Sequence, residues 1–381
     1  SWLCWCWLFM MFTTQSQIAA MEGLVGQAAN MAFPGASAFF ARLGGFVSPG
    51  VEAFLRAHPE HVWATLTGLA AMALLLSGGY RRLEKITTAL VAMVTLITVA
   101  CVIGLPWTPP PTQFTLADVA TGFTFQLPAT AALAFSTFGI TGVGASELVA
   151  YPYWCIEKGY ARAAGKRAGD EGWAARARGW LKVMQLDAWF SMVVFTLATV
   201  AFYLLGAATL HPKGIVPEGA GMIRELSEMY KTLGTWTVPV FLIGAWAVLF
   251  KTLYVATAGN SRLTADFLAL AGIWRHRGPA GRDRVVNVFC VVYPSLALAL
   301  YFLFREPRTL VLIGGYAQGL MLPLIAGATL YLRYRDADAR VAPSRVTDLF
   351  TWIAAVTISL VALYSLYNLV TDLVRWLGRV F

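Results

Sequence analysis

Charged residues are scarce in this sequence of 381 residues: only 13% are Asp, Glu, Lys or Arg, whereas 58% are hydrophobic. A soluble core cannot bury that much apolar surface. The apolar residues also occur in runs of about 20, the length at which a helix crosses the hydrocarbon core of a bilayer. The composition therefore excludes an ordinary soluble domain and predicts an all-α, polytopic integral membrane protein surrounded by lipid.

The sequence also has little of what disulfides, metal centres and enzymes need. Its 5 cysteines lie in or beside apolar segments without metal-ligand spacing, which favours buried thiols. The 4 histidines, His58, His61, His211 and His276, all fall in predicted loops, and we interpret His58, Glu60 and His61 as a solvated cluster. No Ser/His/Asp set or phosphate-binding loop can be assembled. We therefore predict a protein that is not an enzyme and needs no cofactor.

The net charge of +9 does not indicate nucleic acid binding, because Lys and Arg cluster between the hydrophobic runs. The positive-inside rule explains these clusters as cytoplasmic loops. Roughly nine spans in a single transporter domain place every basic loop on one side of the membrane. We predict a multi-pass protein of a bacterial inner (plasma) membrane with spans at about 2–31, 62–79, 84–105, 126–160, 184–208, 236–258, 286–304, 308–332 and 347–371.

Glycines interrupt the fourth predicted span between residues 139 and 147. A helix is broken in hydrocarbon only where protein or a water-filled cavity satisfies the exposed backbone groups. The two helix ends would offer carbonyl groups to a cation and amide groups to an anion, as in secondary transporters. The interruption thus predicts a substrate site that includes Thr141, Gly142, Val143, Gly144, Ser146 and Glu147.

Two interpretations of the polar residues at this interruption stay open. Ser146 and Glu147 are suited to stabilise the start of the second half-helix, as a cap and through the helix dipole. Glu147 is equally suited to contact a cation directly or through water, because ionisable groups inside spans are expensive and usually functional. Gln318 offers both a donor and an acceptor among small residues, and we predict that it lines the same cavity.

Two further acidic residues are candidates for a proton or ion pathway. Glu22 lies among amide side chains of the first span, where a structural network with Gln17 or Asn30 is the other interpretation. Asp187 follows a basic loop, and pairing with Lys182 at the membrane interface is its structural interpretation.

Five segments carry a resemblance to a known family: EGLVGQAANMAFPG, YRRLEKITTALVAMV, FGITGVGASELVAYPYW, QLDAWFSMVVFTLATVAFYLLGAATL and AQGLMLPLIAGATLYL. Residues 1 to about 371 resemble the third through eleventh helices of the natural resistance-associated macrophage protein (Nramp) family of divalent metal transporters. The resemblance implies a LeuT-like (APC superfamily) fold of inverted repeats, here lacking its first two helices. Because the chain starts at Ser1 inside an apolar run, we expect an N-terminal truncation that removes the family's Asp-Pro-Gly-Asn metal ligands.

The chain departs from the family pattern at the interruption. Where the family usually reads Gly-Ala-Thr-Val-Met-Pro-His, residues 142–148 read GVGASEL. Ser146 thus occupies the position of the family's sulfur ligand, and Leu148 occupies the position of its proton-linked histidine. Of the acidic pair in the family's third helix, this chain has at most Glu22. Oxygen ligands favour hard ions, whereas a thioether favours softer transition metals. The chain therefore looks similar to the divergent branch of Nramp-related magnesium transporters, with weak or absent proton coupling.

These features predict a secondary transporter or facilitator for Mg²⁺- or Mn²⁺-like cations that works by alternating access. We predict that the metal ligands are Thr141, Gly142, Val143, Gly144, Ser146, Glu147 and Gln318. The main alternative is an amino-acid or other organic-solute carrier of the same fold, in which half-helix amides hold a carboxylate. A non-transporting scaffold is a third reading, but it leaves the glycines of the interruption unexplained.

Overall fold

The computed structural model describes residues 2–77, 80–109, 116–122, 131–167, 169–274 and 278–380. The regular elements in these ranges are helices, joined by turns and short 3-10 segments. They are α1 (Trp2–Ala32), α2 (Pro34–Gly45), α3 (Pro49–Ala57), α4 (Pro59–Ser77), α5 (Tyr80–Gly104), α6 (Leu116–Gly122), α7 (Ala131–Ile140), α8 (Ala145–Glu157), α9 (Glu171–Thr209), α10 (Met222–Ser227), α11 (Thr237–Leu270), α12 (Gly278–Phe304), α13 (Pro307–Arg335) and α14 (Arg345–Val380). His276 and the predicted start of the fourth span, residues 126–130, lie outside the described residues.

Eight helical segments in the described part of the chain are long and apolar enough to cross a membrane. They comprise α4, α5, α7 with α8, α9, and α11 to α14. The protein is therefore a multi-pass membrane protein. The helix α1, the first of the predicted spans, is not among the eight although it has 31 residues. Its second half carries buried polar side chains such as Gln15, Glu22 and Gln27, which lower its hydropathy.

The segment between the first two predicted spans contains both α2 and α3. Each helix has proline at its first position, where the missing N–H group costs nothing. The hydroxyl of Ser48 caps α3 by accepting a hydrogen bond from the backbone of Val51 at 3.2 Å. Local start signals therefore explain both helices.

The helices form two compact units. The first unit comprises Ser1–Thr14, Gln126–Leu197 and Leu312–Phe381, and the second comprises Gln15–Phe125 and Ala198–Val311. In the second unit, glycines of α1 allow close approach of its neighbours. A Cβ atom added to Gly23 would lie 2.2 Å from the ring of Tyr301 in α12, and one added to Gly26 would lie 2.3 Å from the carbonyl oxygen of Glu60 in α4. Small residues thus set the helix spacing, as is common in membranes.

In the first unit, Asp338 joins two of the basic loops. Its carboxylate accepts a hydrogen bond from Arg340 Nη2 at 2.8 Å and pairs with Arg167 Nη2 at 3.1 Å. Arg340 also donates to the carbonyl oxygen of Gly169 at 2.8 Å and lies over the ring of Trp173. The hydrogen bonds from Arg340 hold the pKa of the Asp338 carboxyl well below its ordinary value. The loops before α9 and before α14 are therefore linked by charge-assisted contacts.

Asp338→Asn is expected to lower the thermal unfolding midpoint of the detergent-solubilised protein at pH 7. A carboxyl whose folded pKa is depressed stabilises the protein fully above its unfolded pKa of about 3.9, and this contribution is lost as the pH falls toward the folded value. The difference between wild type and variant should therefore shrink only below about pH 4. Asp336→Asn, a change at an exposed neighbour, is the control. A difference that is constant from pH 7 to pH 3 would exclude this linkage.

Candidate functional site

The helical path is interrupted at residues 141–144, between the end of α7 at Ile140 and the start of α8 at Ala145. The backbone N–H and the hydroxyl of Thr141 both donate to the carbonyl oxygen of Thr137, at 2.8 and 2.7 Å, and so close the last turn of α7. Gly142 then has a φ of +88°, a conformation that glycine adopts without steric cost. A Cβ atom there would also lie 3.0 Å from the ring of Phe195 in α9.

The interruption exposes backbone acceptors. Thr141, Gly142 and Val143 are all exposed. Within the described part of the chain, no hydrogen bond ends on the carbonyl oxygen of Gly142 or Val143. These oxygens are therefore available to a ligand, as the ends of a broken helix can be.

Direct backbone contact brings α13 to the interruption. A Cβ atom on Gly139 would lie 2.0 Å from the carbonyl oxygen of Gly315. One on Gly315 would lie 2.5 Å from the carbonyl oxygen of Ser136, and one on Gly319 would lie 2.8 Å from the ring of Phe135. The Ser136 hydroxyl also donates to the carbonyl oxygen of Leu312 at 2.5 Å. The contact leaves no room for larger residues and places the next polar side chain of α13, Gln318, beside α8.

Gln318 is only 2% exposed, and its side chain contacts the first turn of α8. Its Oε1 atom accepts from the backbone N–H of Ser146 at 3.1 Å and lies 3.0 Å from the Ser146 hydroxyl. Because a backbone N–H can only donate, this contact fixes the amide with its oxygen toward α8. A Cβ atom on Gly144 would lie 2.3 Å from this oxygen, so a larger residue there would displace the end of the Gln318 side chain.

Three side-chain oxygens meet at this turn. The Ser146 hydroxyl lies 2.9 Å from Glu147 Oε2 as well as 3.0 Å from Gln318 Oε1. A hydroxyl group has one hydrogen and can donate to only one of these acceptors at a time. The hydroxyl can therefore donate to Glu147 while Gln318 Oε1 accepts from the backbone N–H of Ser146, and the three oxygens lie together at the first turn of α8.

The capping interpretation of Ser146 is wrong. The residue at the N-cap of α8 is Gly144, which makes no side-chain cap hydrogen bond, and Ser146 lies inside the first turn. Its hydroxyl is directed to Gln318 and Glu147 because α13 approaches on that side. Glu147 does lie in the first turn, where its charge stabilises the helix dipole. Its exposure leaves it free to contact a ligand as well.

The described contacts of Asp187 are not with residues of the interruption. It lies 3.9 Å from Lys158 Nζ and accepts from the Tyr151 hydroxyl at 3.4 Å, next to the second half of α8. The predicted pairing with Lys182 is wrong, because residues five positions apart on α9 point to different sides of the helix. Asp187 therefore holds the end of α8 through a partly exposed ion pair, a weak type of interaction.

Glu22 lies in the second unit, in α1, and is fully buried with 0% exposure. Neither of its carboxyl oxygens accepts a hydrogen bond from the described residues. The predicted network is wrong, since Gln17 donates to the carbonyl oxygen of Val311 and Asn30 accepts from Ser37. The carboxyl instead faces Gly68 of α4, where a Cβ atom would lie 3.3 Å from Glu22 Oε1.

Sequence reasoning missed the residues that assemble the site, in particular Gly315 and Gly319. Their spacing of four on α13 is the small-residue pattern of close helix contacts and could have located the partner of α7. Phe195, which packs against Gly142, carries no such signal in the sequence.

Comparison with known proteins identifies the family of the chain. The family model described as natural resistance-associated macrophage protein-like, Nramp, matches residues 11–368, which is nearly the whole chain. A search of curated proteins gives no match. Nramp proteins have the LeuT fold and are transporters rather than enzymes; the metal ion is their substrate, and they need no cofactor. The chain belongs to the Nramp family of membrane proteins that transport divalent metal ions.

Proposed function

We propose that the protein is a secondary transporter or facilitator that moves hard divalent cations, Mg²⁺ and Mn²⁺, across a bacterial plasma membrane by alternating access. The observation that carries this proposal is the set of three side-chain oxygens at the start of α8, from Ser146, Glu147 and Gln318. The exposed carbonyl groups of Gly142 and Val143 complete the proposed ligand set, together with the backbone of Thr141 and Gly144.

Coordination chemistry supports a hard cation. Mg²⁺ binds oxygen at 2.0–2.1 Å in an octahedron, so that neighbouring ligands lie about 2.9 Å apart. The Ser146 hydroxyl lies 2.9 and 3.0 Å from the other two side-chain oxygens, which matches this spacing. The side-chain atoms that these contacts collect are all oxygens, the ligand type that Mg²⁺ and Mn²⁺ prefer. Exposure of Glu147 leaves space for the waters that Mg²⁺ usually retains.

The proposal includes weak or absent proton coupling. Leu148 replaces the family's histidine and is 42% exposed beside the site, so an apolar side chain occupies the place of a proton carrier. We assign Glu22 and Asp187 roles in the ion pathway, because acidic groups within membrane helices are usually functional.

The decisive substitution is Ser146→Met, which places a thioether among the oxygens. Uptake of Mg²⁺ and Mn²⁺ should be measured in proteoliposomes, with Cd²⁺ as the soft competitor. The variant is expected to lose Mg²⁺ uptake and to bind Cd²⁺ at least about tenfold more tightly, which corresponds to about 1.4 kcal/mol. Ser295→Met, a change at an exposed serine of α12, is the matched control and should leave the selectivity unchanged.

Two results would overturn the proposal. One is wild-type uptake of Mn²⁺ with simultaneous acidification and no competition by Mg²⁺. The other is uptake of amino acids or another organic solute. The solute alternative requires free amide groups at the start of α8, but the N–H of Ser146 donates to Gln318 and the Glu147 carboxylate would repel an anionic group.

A further inference from the structure

Two histidines and a glutamate lie together where α3 meets α4, in the second unit. Glu60 Oε1 lies 3.3 Å from Nδ1 of His61 and 3.7 Å from Nδ1 of His58. One ligand atom of each residue lies within 4.8 Å of the other two. The three residues fall within positions 58–61. The chain turns there from the end of α3 into the first turn of α4, which begins at Pro59, and the turn brings their side chains together.

The cluster is not solvated, so the interpretation from the sequence is wrong. His61 is 5% exposed and Glu60 is 9% exposed. Neither ring nitrogen of His61 has a hydrogen-bond partner among the described residues, although Nδ1 is close to the carboxylate. Buried polar nitrogens normally have partners. The Nδ1 atom faces the Glu60 carboxylate at 3.3 Å, and a buried ring nitrogen that no hydrogen-bond donor reaches can be satisfied by a metal ion.

Aromatic packing fixes the orientation of both imidazole rings. His61 is stacked on Phe302, with ring centroids 4.9 Å apart, and lies 5.4 Å from the ring of Tyr301. Phe54 of α3 lies 5.1 Å from the ring of His58. Ligands that are held by their surroundings lose little entropy when they bind. The cluster is therefore preorganised on α3, α4 and α12.

We propose that His58, Glu60 and His61 bind a first-row transition-metal ion, of which Zn²⁺ is the best fit, separately from the transported cation. Zn²⁺ binds histidine nitrogen and carboxylate oxygen at about 2.0–2.2 Å, so that tetrahedral ligands lie about 3.3 Å apart. The observed separations from Glu60 Oε1, 3.3 and 3.7 Å, are close to this value. Two imidazoles and a carboxylate suit Zn²⁺, whereas Mg²⁺ prefers oxygen ligands.

The ion would reach the site past His58. The side chain of His58 is 32% exposed, whereas those of Glu60 and His61 are 12% and 6% exposed. A solvent-facing ligand of this kind leaves a fourth position for water. The site goes beyond the proposed transport function, since its ligands lie at the junction of α3 and α4 rather than at the interruption.

The test measures Zn²⁺ binding to the purified full chain in excess Mg²⁺ by equilibrium dialysis. The absorption bands of Co²⁺, used as a spectroscopic substitute for Zn²⁺, report the ligands of the bound ion. One tightly bound Zn²⁺ per chain is expected. His58→Ala and Glu60→Gln should each weaken its binding at least about tenfold, because loss of a ligand costs at least as much as loss of a supporting residue. His211→Ala, a change at an exposed histidine, is the matched control and should bind as the wild type does.

A second series of variants distinguishes Zn²⁺ binding at this site from cation binding at the proposed transport site. Gln318→Leu should retain the Zn²⁺ site while it loses Mg²⁺ uptake, and His58→Ala should retain Mg²⁺ uptake, which also shows that this variant folds. Equal Zn²⁺ affinity in His58→Ala, Glu60→Gln and His211→Ala would overturn the proposal. Loss of Zn²⁺ binding in Gln318→Leu would also overturn it, because the ion would then occupy the transport site.

Discussion

Replacing Gly139 with alanine is expected to abolish divalent cation transport. The added Cβ atom would lie 2.0 Å from the carbonyl oxygen of Gly315 and 2.7 Å from the backbone nitrogen of Gly319. These are backbone atoms and cannot rotate away, so α7 and α13 must separate. Overpacking of this kind typically costs about 1–3 kcal/mol. The separation would also move Gln318 away from Ser146 and open the proposed ligand set.

Uptake of Mg²⁺ by reconstituted protein measures this effect. Misplacement of a binding group by about 1 Å can cost about 100-fold in rate in enzymes, and we expect a loss of that order here. Gly327→Ala is the matched control, because Gly327 lies on α13, the helix that α7 contacts, and nothing lies within 4 Å of its added Cβ atom. Normal uptake by the Gly139 variant at equal protein amounts would show that the contact between α7 and α13 does not position the site.

Replacing Glu22 with methionine is expected to stabilise the protein and to impair transport at the same time. The carboxyl group is fully buried and no described residue donates a hydrogen bond to it. Removing such an unsatisfied group should recover about 1–3 kcal/mol. If Glu22 serves the ion pathway, the same change should lower Mg²⁺ uptake at least about tenfold, which corresponds to about 1.4 kcal/mol. Thermal unfolding and uptake are measured on the same preparation.

Gln27→Met is the matched control on the same helix. The Gln27 amide is satisfied, since it donates to the carbonyl oxygen of Gly219 at 2.9 Å and accepts from the backbone N–H of Ile223 at 3.2 Å. Its removal leaves the buried N–H of Ile223 and the half-buried carbonyl oxygen of Gly219 without this partner and should lower the unfolding midpoint. If both variants lower the midpoint, Glu22 has a structural partner. If Glu22→Met leaves uptake unchanged, Glu22 has no part in the pathway.

Local features of the sequence were sufficient to locate the helix interruption. The contacts of the side chains at the interruption could not be predicted, because they depend on residues far away in the chain. Gly142 marks the break because its positive φ is a local backbone requirement, whereas the close contact of Gly144 is with Gln318 of α13. The role of Ser146 depends on Gln318, which follows 172 positions later and approaches through Gly315 and Gly319. The burial of His61 likewise depends on Phe302 of α12. A single sequence shows which side chains are unusual but not which distant helix packs against them.

The hydrogen bond between Gln318 and Ser146 joins two segments that the ribosome synthesises at different times. The helices α7 and α8 have only 10 and 13 residues, whereas about 20 are needed to cross the hydrocarbon core. The N–H of Ser146 is satisfied by a side chain 172 positions later in the chain. Unpaired backbone groups are costly in lipid. This hydrogen bond therefore forms only after α13 has been synthesised and inserted, so the proposed ligand set is completed late in membrane assembly.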